Sequence, residues 1–294
     1  MSVTVRVPAK INIALQVGPA RADGFHELQT IYHAVSLYDG ITVAEVAEGS
    51  GISIVCTHED VPLDNRNLAW KAAELLAAKA GRAPDVAIRI DKGIPVAGGM
   101  AGGSADAAGT LIAINELWEL NYSKEELQEI AAELGSDVPF CIAGGTQLGQ
   151  GRGELLSPVL AKGSFDWVIA TSQAGLSTPA VYAKLDEIRP DAEMPRIPDD
   201  VVAALRTNDA KALGLVLHND LQAPAIVLKP SLQRTIEAGI EAGALGALVS
   251  GSGPTVVFLV RDAEHALDVQ IALTGSGFAH EVLTASGPVR PAII

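Results

Sequence analysis

The sequence predicts an α+β protein built of two α/β domains, residues 1–157 and 158–294. Three observations predict it. The chain has 294 residues, enough for about two domains at roughly 100–200 residues each. Its first third reads as strands and its middle third as helices. After about residue 157 the pattern starts again with a strand. Apolar residues make up 48 % and charged residues 19 %, a balance that can bury a core.

Each element follows from local pattern. Val3–Val7 (VTVRV) and Ile11–Val17 (INIALQV) alternate as half-buried strands do. Ile41–Val46, Ile52–Cys56 and Val86–Ile90 follow as strands. Between the last two, Asn67–Lys79 carries apolar residues at helical spacing, with Asn67 as its cap and Gly81 as its stop. Ser104–Leu120 repeats that spacing through Ala108, Leu111, Ile112, Ile114 and Leu117. Ser123 and Glu126 form a capping-box signature for a helix ending at Gly135. Ser136, Asp137 and Pro139 start another helix, since proline is tolerated in a first turn. In the second domain Asp166–Thr171 is a strand and Glu187–Asp200, with three prolines, a surface loop. Ser231–Ala242 is a helix. Ala247–Ser250 leads through SGSGPT into strand Val256–Val260 and helix Ala263–Leu273.

Charge and composition exclude some functions. With 21 basic and 35 acidic side chains, the net charge is −14. Such a surface repels phosphate backbones and anionic lipid, so neither nucleic acid nor a membrane is an expected partner. A small anionic ligand is still compatible with a local site. The two cysteines, Cys56 and Cys141, make no disulfide framework and fit a reducing compartment as small buried hydrophobes. No secretory signal and no apolar run of about 20 residues is visible. The chain reads as soluble and cytoplasmic. Aromatics are scarce, with five Phe, four Tyr and three Trp, so an aromatic in a polar loop stands out.

Gly93–Ala108 (GIPVAGGMAGGSADAA) is the most informative stretch. Glycines stand at 98, 99, 102 and 103, directly before a helix. Glycine lets backbone approach a ligand, and a helix start offers unpaired N–H groups and the positive end of a dipole. Together they make a phosphate cradle. Neither the dinucleotide fingerprint nor the Walker loop fits: the first has no register here, and the second lacks its lysine because Ser104 and Ala105 follow Gly103. A triphosphate held here would need backbone N–H groups, the Ser104 hydroxyl, a metal ion and lysines from elsewhere. The second glycine turn, Ser250–Thr255, is weak by itself.

Lys10 by itself reads as a surface charge, and Asp137 as a helix N-cap. As a pair they suit phosphoryl transfer. A carboxylate can take a hydroxyl proton, while an ammonium keeps it ionised and offsets developing charge.

PAKIN (Pro8–Asn12), ADGFHELQT (Ala22–Thr30), IPVAGGMAGGSADAA (Ile94–Ala108), GSDVPF (Gly135–Phe140), LSTPAVY (Leu176–Tyr182) and SGSGPT (Ser250–Thr255) occur in that order. With them the chain resembles the GHMP kinase superfamily nearly end to end. The glycine loops are common to the superfamily. PAKIN and DGFHELQT are similar to those of members acting on a cytidine-diphosphate-linked methylerythritol. The resemblance implies a ribosomal-protein-like N-terminal α/β domain and a ferredoxin-like C-terminal domain, with ATP and substrate in the cleft between them. It implies ATP and Mg²⁺ as cofactors and transfer of the γ-phosphate to a 2-hydroxyl. Asp137 would be the base and Lys10 its charged partner. Asn12 would place the substrate, Phe25 and Tyr182 would sandwich cytosine, His26 would read its edge, and Thr178 would lie near the substrate phosphates or sugar. The ATP phosphates would lie on Pro95, Val96, Ala97, Gly98, Gly99, Met100, Ala101, Gly102, Gly103, Ser104 and Ala105, with Asn67 near adenine. Gly251, Ser252 and Gly253 would close the site from the second domain. No residue is assigned as a direct metal ligand.

Two departures stand out. Ala105 replaces the second of two serines usual in the family, and Ala101 replaces a glycine. Asp106, in the first helical turn, reads as a carboxylate favourable to the helix dipole. Three alternatives stay open: a sibling kinase acting on homoserine or mevalonate, an inactive nucleotide-binding protein, and, from the glycine loop alone, a dinucleotide oxidoreductase. The absent fingerprint argues against the last, DGFHELQT against the first, and the retained Lys10 and Asp137 against the second.

Overall fold

The computed structural model describes residues 1–96 and 98–294. The two alternating runs at the N-terminus are one strand, β1 (Ser2–Ala20). It pairs antiparallel with an equally long β2 (His26–Glu45), and the register shifts at Pro8/Ala9, Asn12/Ala14 and Val17/Ala20. Such irregularities bend a strand and re-aim its side chains. Lys10 and Asn12 stand between the first two. Of β2, the sequence pattern marks only the end. From Thr30 to Val35 every residue is buried, so no polar alternation announces a strand covered on both faces.

The chain continues through β3 (Ile52–Cys56), α1 (Leu68–Ala80), β4 (Val86–Asp91), α2 (Gly102–Leu117), α3 (Lys124–Ala131), α4 (Val138–Ala143), β5 (Thr146–Gly151) and β6 (Leu155–Pro158). α1 is capped as expected: Asn67 accepts from the Ala69 N–H, and Gly81 ends it at φ 64°. The capping box at Ser123 is complete, but α3 stops at Ala131, short of Gly135. α2 starts two residues before Ser104 and ends at Leu117 instead of Leu120. Every residue from Ala105 to Leu111 is buried, as for a helix apolar all round. Gly109 lets it lie directly on Ile41 and Val7.

Next come β7 (Phe165–Ala170), α5 (Thr178–Ile188), α6 (Asp199–Thr207), α7 (Ala210–Val216), β8 (His218–Asn219), α8 (Gln222–Leu228), α9 (Ser231–Glu241), β9 (Gly246–Val249), β10 (Val256–Val260), α10 (Ala263–Ser276), β11 (Val282–Gly287) and β12 (Ala292–Ile293). The first sheet runs β12-β1-β2-β4-β3, with β5 and β6 extending from β2 and β8 parallel to β1. The second is antiparallel, in the order β11-β7-β10-β9. The chain changes sheet between Pro158 and Phe165, and β8 and β12 return to the first sheet. Cys141 is buried, while Cys56 is half-buried; both are free thiols. Among the described residues no helix is long and apolar enough to cross a membrane.

Candidate active site

Between the two sheets lies a cleft of about 500 Å³. β1 supplies its floor. The Lys10 ammonium, 5 % exposed, donates to Asn12 Oδ1 at 2.8 Å. Asn12 Nδ2 donates to Thr30 Oγ1 at 2.8 Å, and Thr30 donates on to the Ala14 carbonyl. This buried chain fixes the ammonium 3.6 Å from Asp137 Oδ2.

Asp137 stands at the start of α4, yet its side chain caps no helix N–H. Its Oδ1 instead accepts from the Tyr32 hydroxyl at 3.2 Å. The N-cap reading of Asp137 is therefore corrected: Pro139 in the first turn removes one donor, and the carboxylate faces the cleft. Burial, with the Asp137 charge adding, holds the Tyr32 phenol well above its ordinary value, so it remains a donor.

The glycine loop forms one wall. Pro95, Val96, Gly98, Gly99, Met100, Ala101, Gly102 and Gly103 line the cleft. Ala97 lies outside the described residues. Ser104 and Ala105 do not line it; Ala105 is fully buried and its N–H donates to the Ala101 carbonyl at 2.8 Å. The Lys10 N–H donates to the Met100 carbonyl, tying the loop to the floor. Ala101 adopts φ 61°, ψ 31°, a left-handed conformation natural to the glycine it replaces.

The loop is anchored by a group that sequence reasoning missed. Asp39 of β2, fully buried, accepts from the Gly93 and Ile94 N–H groups at 2.8 and 2.9 Å. Its other oxygen pairs with Lys92, whose ammonium also reaches Asp106 at 3.0 Å. Both ends of the loop are thereby tied to β2. Burial works against the Lys92 charge, but Asp106 and Asp39 outweigh it and raise its pKa. Burial pushes the Asp106 carboxyl up to about 7, against the pull of Lys92. Asp106 is thus one corner of a buried ion cluster, which corrects its reading as a carboxylate serving the helix dipole. Lys92 and Asp106 also line the cleft. The only sequence signal for Lys92 is its place just before the glycine loop.

The second sheet closes the opposite side. Gly251 and Ser252 line the cleft. A Cβ on Gly99 (φ +73°) would come within 2.8 Å of the Gly253 carbonyl, and one on Gly251 (φ +58°) within 3.4 Å of Lys10 Nζ. The two glycine loops therefore touch, and no side chain fits between them. Asn219, carried to β1 by β8, donates to the Val249 and Gly251 carbonyls at 2.6 and 2.7 Å. Ser250 Oγ and Thr255 Oγ1 are buried with no partner among the described residues.

At the far end Thr178 and Tyr182 of α5 line the cleft, and Thr178 Oγ1 lies 2.8 Å from Ser252 Oγ. The Tyr182 ring packs 5.1 Å from that of His26, whose Nε2 lies 2.8 Å from Asp186 Oδ1. Burial raises the Tyr182 phenol pKa. His26 and Phe25 stand behind the lining, Phe25 half-exposed with the Arg152 guanidinium 5.0 Å over its ring. Asn67 lines the cleft, with both ends of its amide engaged: Oδ1 on the Ala69 N–H, Nδ2 on the Pro62 carbonyl.

Comparison with known proteins decides the family. The model of the GHMP kinases N-terminal domain matches residues 67–145, and that of the GHMP kinases C-terminal domain matches residues 201–278. A 4-diphosphocytidyl-2-C-methyl-D-erythritol kinase of Rhodococcus jostii (strain RHA1) is 53 % identical, over 99 % of this chain and 94 % of that one. The chain belongs to the GHMP kinase family. The protein of the same name from Mycolicibacterium smegmatis (strain ATCC 700084 / mc(2)155) is 55 % identical, over 99 % of this chain and 92 % of that one. A crystal structure of 4-(cytidine 5'-diphospho)-2C-methyl-D-erythritol kinase superposes with a TM-score of 0.80 at 32 % identity, covering 96 % of this chain and 98 % of that one. The fold is accordingly the two-domain GHMP kinase fold, with mixed helix and sheet.

The residues present fit the ATP of a GHMP kinase. The lining glycines leave backbone bare toward the cleft, the N–H groups of the first α2 turn have no intrahelical acceptor, and Lys92, though paired with Asp39 and Asp106, also lines the cleft. For a divalent ion the donors are sparse. Among the described residues no cluster of three or more His, Cys, Asp or Glu side chains is arranged to hold a metal.

Proposed function

We propose that this GHMP kinase transfers the γ-phosphate of ATP to the 2-hydroxyl of 4-diphosphocytidyl-2-C-methyl-D-erythritol, giving the 2-phosphate and ADP. Relatives 53–55 % identical over nearly the whole chain carry that name, and they support the substrate. The chemistry rests on one observation: the Asp137 carboxylate is free of helix capping and faces the cleft beside Lys10.

The acceptor hydroxyl lies against Asp137, which takes its proton as the oxygen attacks phosphorus. Lys10, 3.6 Å from Asp137, offsets charge on the attacking oxygen. Such transfer is chiefly positioning and charge stabilisation. Asn12 holds Lys10 and contacts the substrate. Phe25 and Tyr182 stack on cytosine, His26 hydrogen-bonds its edge, and Thr178 with Ser252 faces the substrate phosphates or sugar. Pro95, Val96, Gly98, Gly99, Met100, Ala101, Gly102 and Gly103 cradle the triphosphate; Ser104, just beyond them, offers a hydroxyl, and the buried Ala105 contributes packing. Asn67 borders adenine, and Gly251–Gly253 close the cleft. When bound, Mg²⁺ neutralises phosphate charge. In the same reading, residues 1–157 and 158–294 are the two domains, supported by the change of sheet after Pro158, and the enzyme works in the cytoplasm.

The test is ADP release by the purified protein with Mg²⁺-ATP and each acceptor separately: the cytidyl substrate, homoserine and mevalonate. Release with the cytidyl substrate alone is expected. Release with another acceptor would keep the scaffold and discard the substrate. No release with any of them, from folded protein that binds ATP, would favour an inactive nucleotide-binding protein.

A further inference from the structure

GQGRGE at Gly149–Glu154, the end of β5 and the turn into β6, belongs to none of the motifs used above. Two of its three glycines have a shared reason. A Cβ on Gly149 would come within 2.6 Å of the Tyr32 ring, and one on Gly153 (φ +106°) would collide with the Tyr32 hydroxyl. The turn therefore rests on Tyr32, which donates to Asp137. Between Gly151 (φ +70°) and Gly153, Arg152 is carried at the tip.

Arg152 is held from one side only. Its backbone N–H donates to Glu154 Oε2 at 2.7 Å, and its Nε to Glu154 Oε1 at 3.3 Å. The terminal amino groups have no hydrogen-bond partner among the described residues. The side chain is one-third exposed and lines the cleft, with its guanidinium over the Phe25 ring. The Arg152 guanidinium thus stands in the cleft at the Phe25 end, on a turn whose flanking glycines pack on Tyr32.

The proposed substrate has its diphosphate between its base and its reacting hydroxyl. The chain carries a net charge of −14, so a dianion there needs a local cation. The Lys10 ammonium is already engaged by Asn12 and Asp137. A guanidinium with two open amino groups matches phosphate oxygens in a fork. We infer that Arg152 binds the diphosphate of the cytidine substrate and so selects a nucleoside diphosphate over a nucleoside. The inference rests on the function proposed above.

Calorimetry with CDP and with cytidine tests it, the ATP site being filled by a non-hydrolysable ATP analogue. Wild type should bind CDP more tightly than cytidine. Arg152→Gln should weaken CDP by about ten- to hundredfold, the range for a charge-assisted hydrogen bond, and leave cytidine within about twofold. KM for the cytidyl substrate should rise with KM for ATP unchanged, and Arg152→Lys should restore part of the CDP affinity. Equal losses of CDP and cytidine would overturn the inference, because they would reduce Arg152 to a prop for Phe25. Unchanged CDP affinity would also overturn it. Wild-type turnover of homoserine or mevalonate instead of the cytidyl substrate would remove the underlying reading and the inference with it.

Discussion

Asp137 illustrates how a residue of ordinary type acquires a role from its surroundings. A short helix that starts with proline leaves its carboxylate free, and Tyr32 and Lys10 aim it into the cleft. Phe25 is a comparable case in a loop. It is half-exposed in a chain poor in aromatics, and what covers it is a guanidinium. Replacing Phe25 by Ala should raise KM for the cytidyl substrate by the equivalent of about 1–3 kcal/mol of stacking. KM for ATP should not move. Steady-state kinetics with each substrate varied would check this; an unchanged KM for the cytidyl substrate would take Phe25 out of the site.

At the scale of elements, the glycine loop between β4 and α2 is held by Asp39 and Lys92 more than by its own sequence. Asp39→Asn would leave Lys92 and Asp106 as a pair and disturb two backbone hydrogen bonds. Breaking one partner of a buried ion group costs about 3–5 kcal/mol, so urea denaturation should show a loss of that order, with a raised KM for ATP. A variant as stable as wild type, with the same KM for ATP, would show that the anchor is dispensable. Elements with local signals were legible: α1 through Asn67 and Gly81, the start of α3 through Ser123 and Glu126, and β3 and β10 through short apolar runs. β2 was legible only at its end, because burial on both faces erases alternation over Thr30–Val35, and α6 and α7, nine and seven residues long, are short elements beside a proline-rich loop. In the site, Lys10, Asp137 and both glycine loops came from motifs. Tyr32, Asp39, Lys92 and Arg152 did not, because their partners lie far away along the chain or have no distinctive spacing. Tyr32 and Asp137, for example, are 105 positions apart.

For the whole molecule, the two sheets meet around His33. It is fully buried, with Nδ1 2.9 Å from Thr146 Oγ1, Nε2 against Gly287 of β11, and its ring near Phe165 and Trp167 of β7. Burial lowers its pKa from 6.5 to about 4. The folded protein thus refuses a proton that the unfolded chain accepts. This stability is present above pH 6.5 and is lost as pH falls toward 4, an effect of about 3 kcal/mol. Asp106 acts oppositely: its raised pKa lets the folded state take a proton first, so its contribution falls as pH rises toward 7. The quantity to read is therefore the difference between wild type and His33→Gln in urea denaturation at pH 7 and pH 4.5. The variant should lose less stability on acidification; parallel losses would contradict the assignment. The cleft between the sheets carries the central claim, that Asp137 takes the acceptor's proton. Turnover of Asp137→Asn with the cytidyl substrate, beside calorimetric binding of ATP and substrate, tests it most directly. The account predicts a fall in kcat of about 10²–10⁴-fold with both ligands still bound near wild-type affinity. Near-wild-type turnover would contradict it.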